Sequence, residues 1–338
     1  MIHKNTHYGK FSYYTSFTSG STAGYYGIAW GDYDNDEDLD LAVGSFYPEQ
    51  NYLYVNNGDG TFTQLAQFGE SETMDVEWGD FNKDGYLDLA VANQNPSPGQ
   101  NYLYVNNGDG TFTQSAQFGE GLTKNIDSGD YDNDGDLDLA VANDGQNYLY
   151  VNNGDGTFTQ SAQFGGDDYT TYVAWGDYDN DGDLDLVTGN SNPYGSDDPQ
   201  NHLYTNNGDG TFSESDMFGN GETWCMEWGD YNNDGYLDLI VCDYVGGTFS
   251  DYLYTNNGDG TFKESIIGGG RIAVWGDYDN DGDLDLAIGD ENGTNYIYKN
   301  KFIDEPAISI FDTEPSENPY PSIMGIHKGE IKPSDNIN

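Results

Sequence analysis

WGDYDNDGDLDLA, residues 275–287, sets five aspartates within nine positions (Asp277, Asp279, Asp281, Asp283, Asp285), interrupts them at Gly282, and runs straight into an apolar strand. Such a stretch repels itself unless something positive neutralises it. It is also repeated: equivalent loops begin at Asp32, Asp80, Asp130, Asp177, Asp230 and Asp277, at spacings of 48, 50, 47, 53 and 47 residues. Between them a second signature returns as NYLYVNNGDGTFTQ at 51–64, 101–114 and 147–160, as NHLYTNNGDGTFSE at 201–214 and as DYLYTNNGDGTFKE at 251–264. Only its first half, NYIYKN, recurs at 295–300.

Each repeat reads as four short strands. Strand a precedes the acidic loop (IAW at 28–30, VEW at 76–78), and strand b is LDLAV. Strand c is NYLYV, alternating Tyr with Leu or Val at a strand's period of two. Strand d is TFTQLAQF, reached through NNGDG, whose Asn-Gly and Asp-Gly steps suit tight turns. Four strands in a period of about 48 residues spell an all-β protein, a β-propeller of antiparallel blades. Six blades are expected over 8–302, with an incomplete seven-bladed ring as the alternative. The sixth repeat lacks a strand d, and GKFSYYTSF at 9–17 parallels GTFTQLAQF at 60–68, matching Gly9 to Gly60, Phe11 to Phe62 and Phe17 to Phe68. The amino-terminal strand is therefore expected to close the last blade.

Composition agrees. Of 338 residues, 46 are Gly, about twice the usual frequency, and 29 are Tyr. The formal charge is -50, from 60 acidic against 10 basic residues, and Arg271 is the sole arginine. That excludes a nucleic-acid partner, which needs clustered Lys and Arg, and disfavours anionic membranes. No apolar run approaches the length of a membrane span. MIHKNTHYGKF lacks the apolar core of a signal peptide, so the protein either stays inside or is a piece without its leader. The tail, 303–338, holds five of the ten prolines and reads as a linker and the start of a truncated further module.

Numbered from its first aspartate, the loop carries Asp or Asn at positions 1, 3, 5 and 9 in all six copies, and Gly at position 6 in five. Alternating carboxylates at 1, 3 and 5, a carbonyl from 7 and a carboxylate from 9 make an all-oxygen shell suited to calcium, up to six ions in all. No His or Cys falls in any loop, which argues against zinc. An EF-hand fails because position 12 of the sixth loop is Ile288, in a strand, where that motif needs Glu between helices. The expected ligand sets are Asp32, Asp34, Asp36, Asp38 and Asp40; Asp80, Asn82, Asp84, Tyr86 and Asp88; Asp130, Asp132, Asp134, Asp136 and Asp138. The later three are Asp177, Asp179, Asp181, Asp183 and Asp185; Asp230, Asn232, Asp234, Tyr236 and Asp238; and Asp277, Asp279, Asp281, Asp283 and Asp285. The third, fourth and sixth loops are complete. The second and fifth each lose a charge to Asn82 and Asn232, and the first has Glu37 where Gly belongs. If position 6 needs positive φ, that Cβ costs about 1 kcal/mol.

D-x-D-x-D-G-x-x-D after a strand, with LY-x-N-N-G-D-G-T-F downstream, resembles the FG-GAP/VCBS repeat, the calcium-bearing blade of integrin α-like propellers and of many microbial surface proteins. The resemblance implies a calcium-stabilised propeller outside the cell or at its surface, serving as adhesin, lectin, or accessory or catalytic domain.

The acidic loops and NNGDG turns are expected on one face, and the connections of unequal length on the other: SFYPEQ at 45–50, NQNPSPGQ at 93–100, NSNPYGSDDPQ at 190–200 and DYVGGTFS at 243–250. Constant loops read as scaffold, and variable ones on rigid supports are where binding sits. Tyr47, Tyr169, Tyr194, Asp197, Asp198, Tyr244 and Phe249 are the candidate contacts for a protein or carbohydrate ligand. The Trp two before each loop (Trp30, Trp78, Trp175, Trp228, Trp275; Ser128 in the third copy) is expected to pack between blades. Cys225 and Cys242 flank the fifth loop at positions that face each other across a hairpin, as a disulfide or as two small buried thiols. The expected function is a monomeric, non-enzymatic adhesion module. The alternatives are a polysaccharide lyase or glycosidase, for which one Arg and four His are a thin supply, and a passive surface-layer spacer.

Overall fold

The structure is a computed structural model that describes residues 2–5, 11–15, 25–46, 50–69, 71–95, 99–166, 169–191, 200–219, 221–279, 281–289, 295–300 and 312–316. Among them are strands and turns and no helix. Six four-stranded sheets follow one another along the chain, each a blade in the order a-b-c-d with every neighbouring pair antiparallel. Blade one is Tyr25–Gly31, Asp40–Ser45, Asn51–Asn56 and Phe62–Phe68. Blades two to six span 72–121, 123–164, 169–218, 222–268 and 272–316. The chain divides into two compact units: Gly24–Thr170, with the first three blades, together with Met324–Asn338, and Thr171–Ile323, with the last three, together with Met1–Ala23.

Within each unit the core lies between adjacent blades. Leu53, Val55 and Phe68 of blade one pack with Val76, Leu89 and Val91 of blade two, and Val187, Leu203 and Phe218 of blade four pack with Met226, Leu239 and Val241 of blade five. In blade one, strand c is buried along nearly its whole length. Hence Leu53 and Tyr54, on opposite faces, are both buried, and the Tyr pairs are structural.

Trp78, Trp228 and Trp275 pack between blades, as expected. Trp78 donates its indole N–H to the carbonyl of Ala29 at 3.1 Å, and Trp275 donates to that of Glu227 at 3.3 Å. Three glycines of the WGD steps make room for them: a Cβ would stand 2.7 Å from Trp78 on Gly31, 2.8 Å from Trp228 on Gly176 and 2.7 Å from Trp275 on Gly229.

The last blade differs from expectation. Its fourth strand is Asp312–Ser316, within the segment read as linker, paired with Asn295–Lys299. The amino-terminal Phe11–Thr15 pairs instead with Ile2–Asn5 as a separate hairpin. Strand c of the last repeat offers an open edge that any extended segment can satisfy, and residues a dozen positions downstream reach it with a short loop to close. Pro315, which has no N–H, suits that edge position. Gly9 and Phe17 lie outside the described residues.

Candidate functional site

The acidic loop is built by its own hydrogen bonds. The carboxylate at position 1 accepts two backbone N–H groups, from positions 5 and 6: Asp134 and Gly135 to Asp130 at 3.0 and 2.9 Å, and Asp281 and Gly282 to Asp277 at 3.1 and 3.1 Å. Position 5 accepts the N–H of position 7, as Asp134 does from Asp136 at 2.9 Å. These bonds wind the chain so tightly that two residues take positive φ. Gly135 has φ 88° and Gly182 96°, and Glu37, in the glycine position of the first loop, is held at 73°. The second such position, the fourth, was not legible as a rule: Asn35, Asn133, Asn180 and Asn233 lie between 54 and 61°, and Lys83 at 58°. Asn tolerates that region, which accounts for the N of DxDND.

Position 9 forms the floor. Asp40, Asp88, Asp138, Asp185 and Asp238 are 0 % exposed. One oxygen accepts the N–H of the Asn that ends strand c: Asn106 to Asp88, Asn152 to Asp138 and Asn256 to Asp238, each at 2.8 Å. The same Asn turns its side chain to the preceding blade. Asn106 donates to the carbonyl of Tyr33 at 2.7 Å, Asn152 to that of Phe81 at 2.8 Å and Asn256 to that of Tyr178 at 2.7 Å. The first Asn of NNGDG is thus a joint between an acidic loop and its neighbour, a role its place in a turn motif concealed.

Burial pushes the floor carboxylates up to about 7 at Asp88, Asp138, Asp185 and Asp238. Burial, then neighbouring carboxylates, also raises Asp34, Asp132 and Asp179 at position 3. Each loop therefore holds negative charge that a cation would relieve. Three carboxylates offer oxygens within 4.8 Å of one another in four loops: Asp130, Asp132 and Asp138; Asp177, Asp179 and Asp185; Asp277, Asp279 and Asp285; and, in the first loop, Asp32, Asp34 and Asp36. The first set uses position 5 instead of 9, and it is the loop with Glu37 for Gly. The second and fifth loops carry Asn82 and Asn232 at position 3, so they lack a third carboxylate there. Buried oxygens of Asp88 and Asp279 have no hydrogen-bond partner. An all-oxygen set with unsatisfied buried carboxylate oxygens fits a hard metal ion. The side chain at position 7 lies against the NNGDG turn: a Cβ on Gly208 would stand 2.7 Å from Asp183, and one on Gly258 2.6 Å from Tyr236. Loop and turn therefore share an edge of the blade.

At the opposite edge, Tyr47, Tyr194, Asp197 and Asp198 lie outside the described residues. Tyr169 is half-buried under the ammonium of Lys124, 4.8 Å from its ring centre. DYVGGTFS is not a loop but the tip of a longer hairpin, Asp238–Val245 with Thr248–Asn256, turned by Gly246 and Gly247 at φ 59 and 95°. Tyr244 and Phe249 are cross-strand partners there, with ring centres 5.0 Å apart. Two residues absent from the sequence-based set join them. Trp224 sits at a bulge in strand a, where the register slips between Thr223 and Cys225, and is 40 % exposed. Its ring centre is 6.2 Å from that of Phe249, and the guanidinium of Arg271 lies 4.1 Å above it. The bulge positions of blades two and three hold Met74 and Lys124, so the repeat itself gives no sign of a tryptophan there. Nearby, Cys225 and Cys242 face each other in register as buried free thiols.

Repeated four-stranded blades, each with an acidic a–b loop, define a β-propeller built from one blade type. Residues 35–91, 80–141, 130–188 and 192–241 match the FG-GAP-like repeat, and the chain belongs to that family. No curated protein sequence matches it. Among solved structures it is similar to a lectin of Agrocybe aegerita described as recognising non-reducing terminal N-acetylglucosamine, at 19 % identity and TM-score 0.59, covering 87 % of this chain and 80 % of the lectin. It is also similar to the Dos1 propeller, at 12 % identity and TM-score 0.56, covering 82 % of this chain and 69 % of that one. At such identity the likeness is one of fold. No helix among the described residues is long and apolar enough to cross a membrane.

Proposed function

We propose that this chain is a calcium-stabilised binding module, acting outside the cell or at its surface, that holds a glycan or protein ligand at the blade edge opposite its acidic loops. The observation that carries the reading is the group of Trp224, Tyr244, Phe249 and Arg271. It gathers an exposed indole, a tyrosine, a phenylalanine and the chain's sole guanidinium on one blade edge, with no counterpart among the described residues of the other blades. Aromatic faces stack on sugar rings and anchor protein contacts, and a guanidinium already held over an indole loses little freedom on binding. Tyr244 is the one group of the four suited to moving a proton, a thinner acid–base set than the paired carboxylates of a glycosidase, which favours a binding module. The lectin shows that a propeller of this general fold can serve a sugar, so glycans are the first ligands to try.

Calcium is the ion we assign to the acidic loops, because carboxylates and carbonyls in a flexible loop suit it better than the strict octahedron of magnesium. Extracellular calcium modules bind at about 10⁻⁴–10⁻³ M, in keeping with a surface setting. A glycan array probed with the calcium-loaded protein and with the chelated protein tests the reading. Binding to a defined glycan set that weakens on chelation is expected, and silence toward every glycan and surface protein would favour a passive spacer.

A further inference from the structure

The sixth acidic loop has the full set of carboxylates, yet a cation already sits between two of them. Strand c of the last blade reads NYIYKN, and its Lys299 stands where the other five copies have Val55, Val105, Val151, Thr205 and Thr255. That position lies beside the loop, because the next residue, Asn300, donates its N–H to Asp285 at 2.8 Å. In blades four and five the residue there is a threonine whose hydroxyl meets the tyrosine at position 2, Tyr178 or Tyr231, at 3.0 Å. Lys299 reaches past that point, and its ammonium is 2.5 Å from Asp279 and 2.8 Å from Asp281.

Asp279 and Asp281 are positions 3 and 5, two of the side chains on which a divalent ion would depend. An ammonium between them supplies the positive charge the loop needs, and it repels a second cation brought to the same oxygens. Among the described residues, the only other lysine bridged to an acidic loop is Lys83, and it meets Asp136 at position 7, leaving positions 1, 3, 5 and 9 of the third loop to themselves. Building on the metal reading above, we infer that Lys299 is the resident counter-cation of the sixth loop, so that loop takes no divalent ion.

Ion counting decides this. The wild-type protein, Lys299→Val and Lys299→Thr are dialysed against the same free calcium and their bound ions counted by elemental analysis, and their melting temperatures are recorded in chelator. Each variant should carry one more ion per molecule than wild type and should melt lower in chelator, where the bared carboxylates repel. The threonine variant restores the residue of blades four and five, which guards against a folding failure peculiar to valine. Val151→Lys, which places a lysine at the same point of the third blade, should lose one ion. Equal, non-zero counts in wild type and both Lys299 variants overturn the inference and leave the metal reading standing. No bound ion in any of the proteins overturns both.

Discussion

The two edges of a blade are built on opposite principles. At the acidic edge the same bonds recur with small variation: position 1 takes the N–H groups of positions 5 and 6, position 9 takes the strand-c Asn, and that Asn clasps the blade before. At the other edge a buried network recurs only beneath the connections: an Asn early in strand c accepts an N–H from late in strand b in blades one to four, and it donates to a threonine of the next blade, Asn51 to Thr73 and Asn201 to Thr223. Above that contact the blades diverge, and blade five alone brings Trp224, Tyr244, Phe249 and Arg271 together. The acidic side chains look like the active part of the molecule because charge is conspicuous, yet their repetition ties them to assembling blades. The part that distinguishes one blade from another lies where the charge is sparse.

The largest test of this contrast is to remove the metal. If the acidic edge is scaffold, chelation should lower the melting temperature on the order of 10 °C, since several sites each contribute about 1–3 kcal/mol at calcium well above their dissociation constants. A melt unchanged in chelator, with no calcium found by elemental analysis, would take the metal out of the structure's support. The metal-free protein should then show its own pH dependence. The floor aspartates titrate near 7 when folded against 3.8 in their ordinary state, so between those values the folded chain keeps protons that the unfolded chain has lost. Their contribution is present below about pH 4 and is lost as pH rises through about 7. Urea midpoints in chelator should therefore be higher at pH 5 than at pH 7.5, and calcium should flatten the difference. A midpoint that rises with pH in chelator would mean that these carboxylates are not the buried, proton-holding floor described above.

A smaller effect is expected at Glu37. It holds φ at 73° in the place where the other described loops have glycine, so Glu37→Gly should raise stability by about 1 kcal/mol, read from denaturant midpoints. It should also bring the first loop toward the 1, 3 and 9 grouping of its counterparts, which a crystal structure of the loaded variant would show. No gain in stability would mean that the wild-type loop carries no strain at this position.

These residues also mark what could be read in advance. The blade, its four strands and the acidic alternation were plain in the sequence, because strand period and loop spacing are local and six copies repeat them. The positive φ at position 6 followed from five glycines against one Glu37. What escaped was whatever depends on a neighbour from another repeat. Asn106 reads as a turn residue until its amide is seen on Tyr33, and Lys299 reads as one lysine in a strand until it meets Asp279 and Asp281. Trp224 was invisible for a related reason: its importance comes from a bulge, a lengthened hairpin and an arginine some fifty residues away, none of which leaves a periodic trace. The last blade's fourth strand was missed because an open sheet edge accepts any extended segment and advertises no sequence for it.

The smallest change in stability should accompany the largest change in function. Trp224→Ala removes a side chain that is 40 % exposed and makes its ring contacts with Phe249 and Arg271 at the surface. Little apolar area leaves the core, so the melting temperature in calcium should move by no more than about 2 °C. If the aromatic edge is the binding surface, the same substitution should remove glycan or protein binding by tenfold or more, since truncating a central aromatic anchor commonly costs 2 kcal/mol or above, roughly. Arg271→Lys should weaken binding less, keeping the charge but not the flat guanidinium that lies over the indole. The informative comparison is with Asp138→Asn at the floor of the third loop, which should do the reverse and lower the melting temperature while leaving binding in saturating calcium close to wild type. If both variants instead lost stability and binding together, the two edges would be one cooperative structure, and the division of labour between them would not stand.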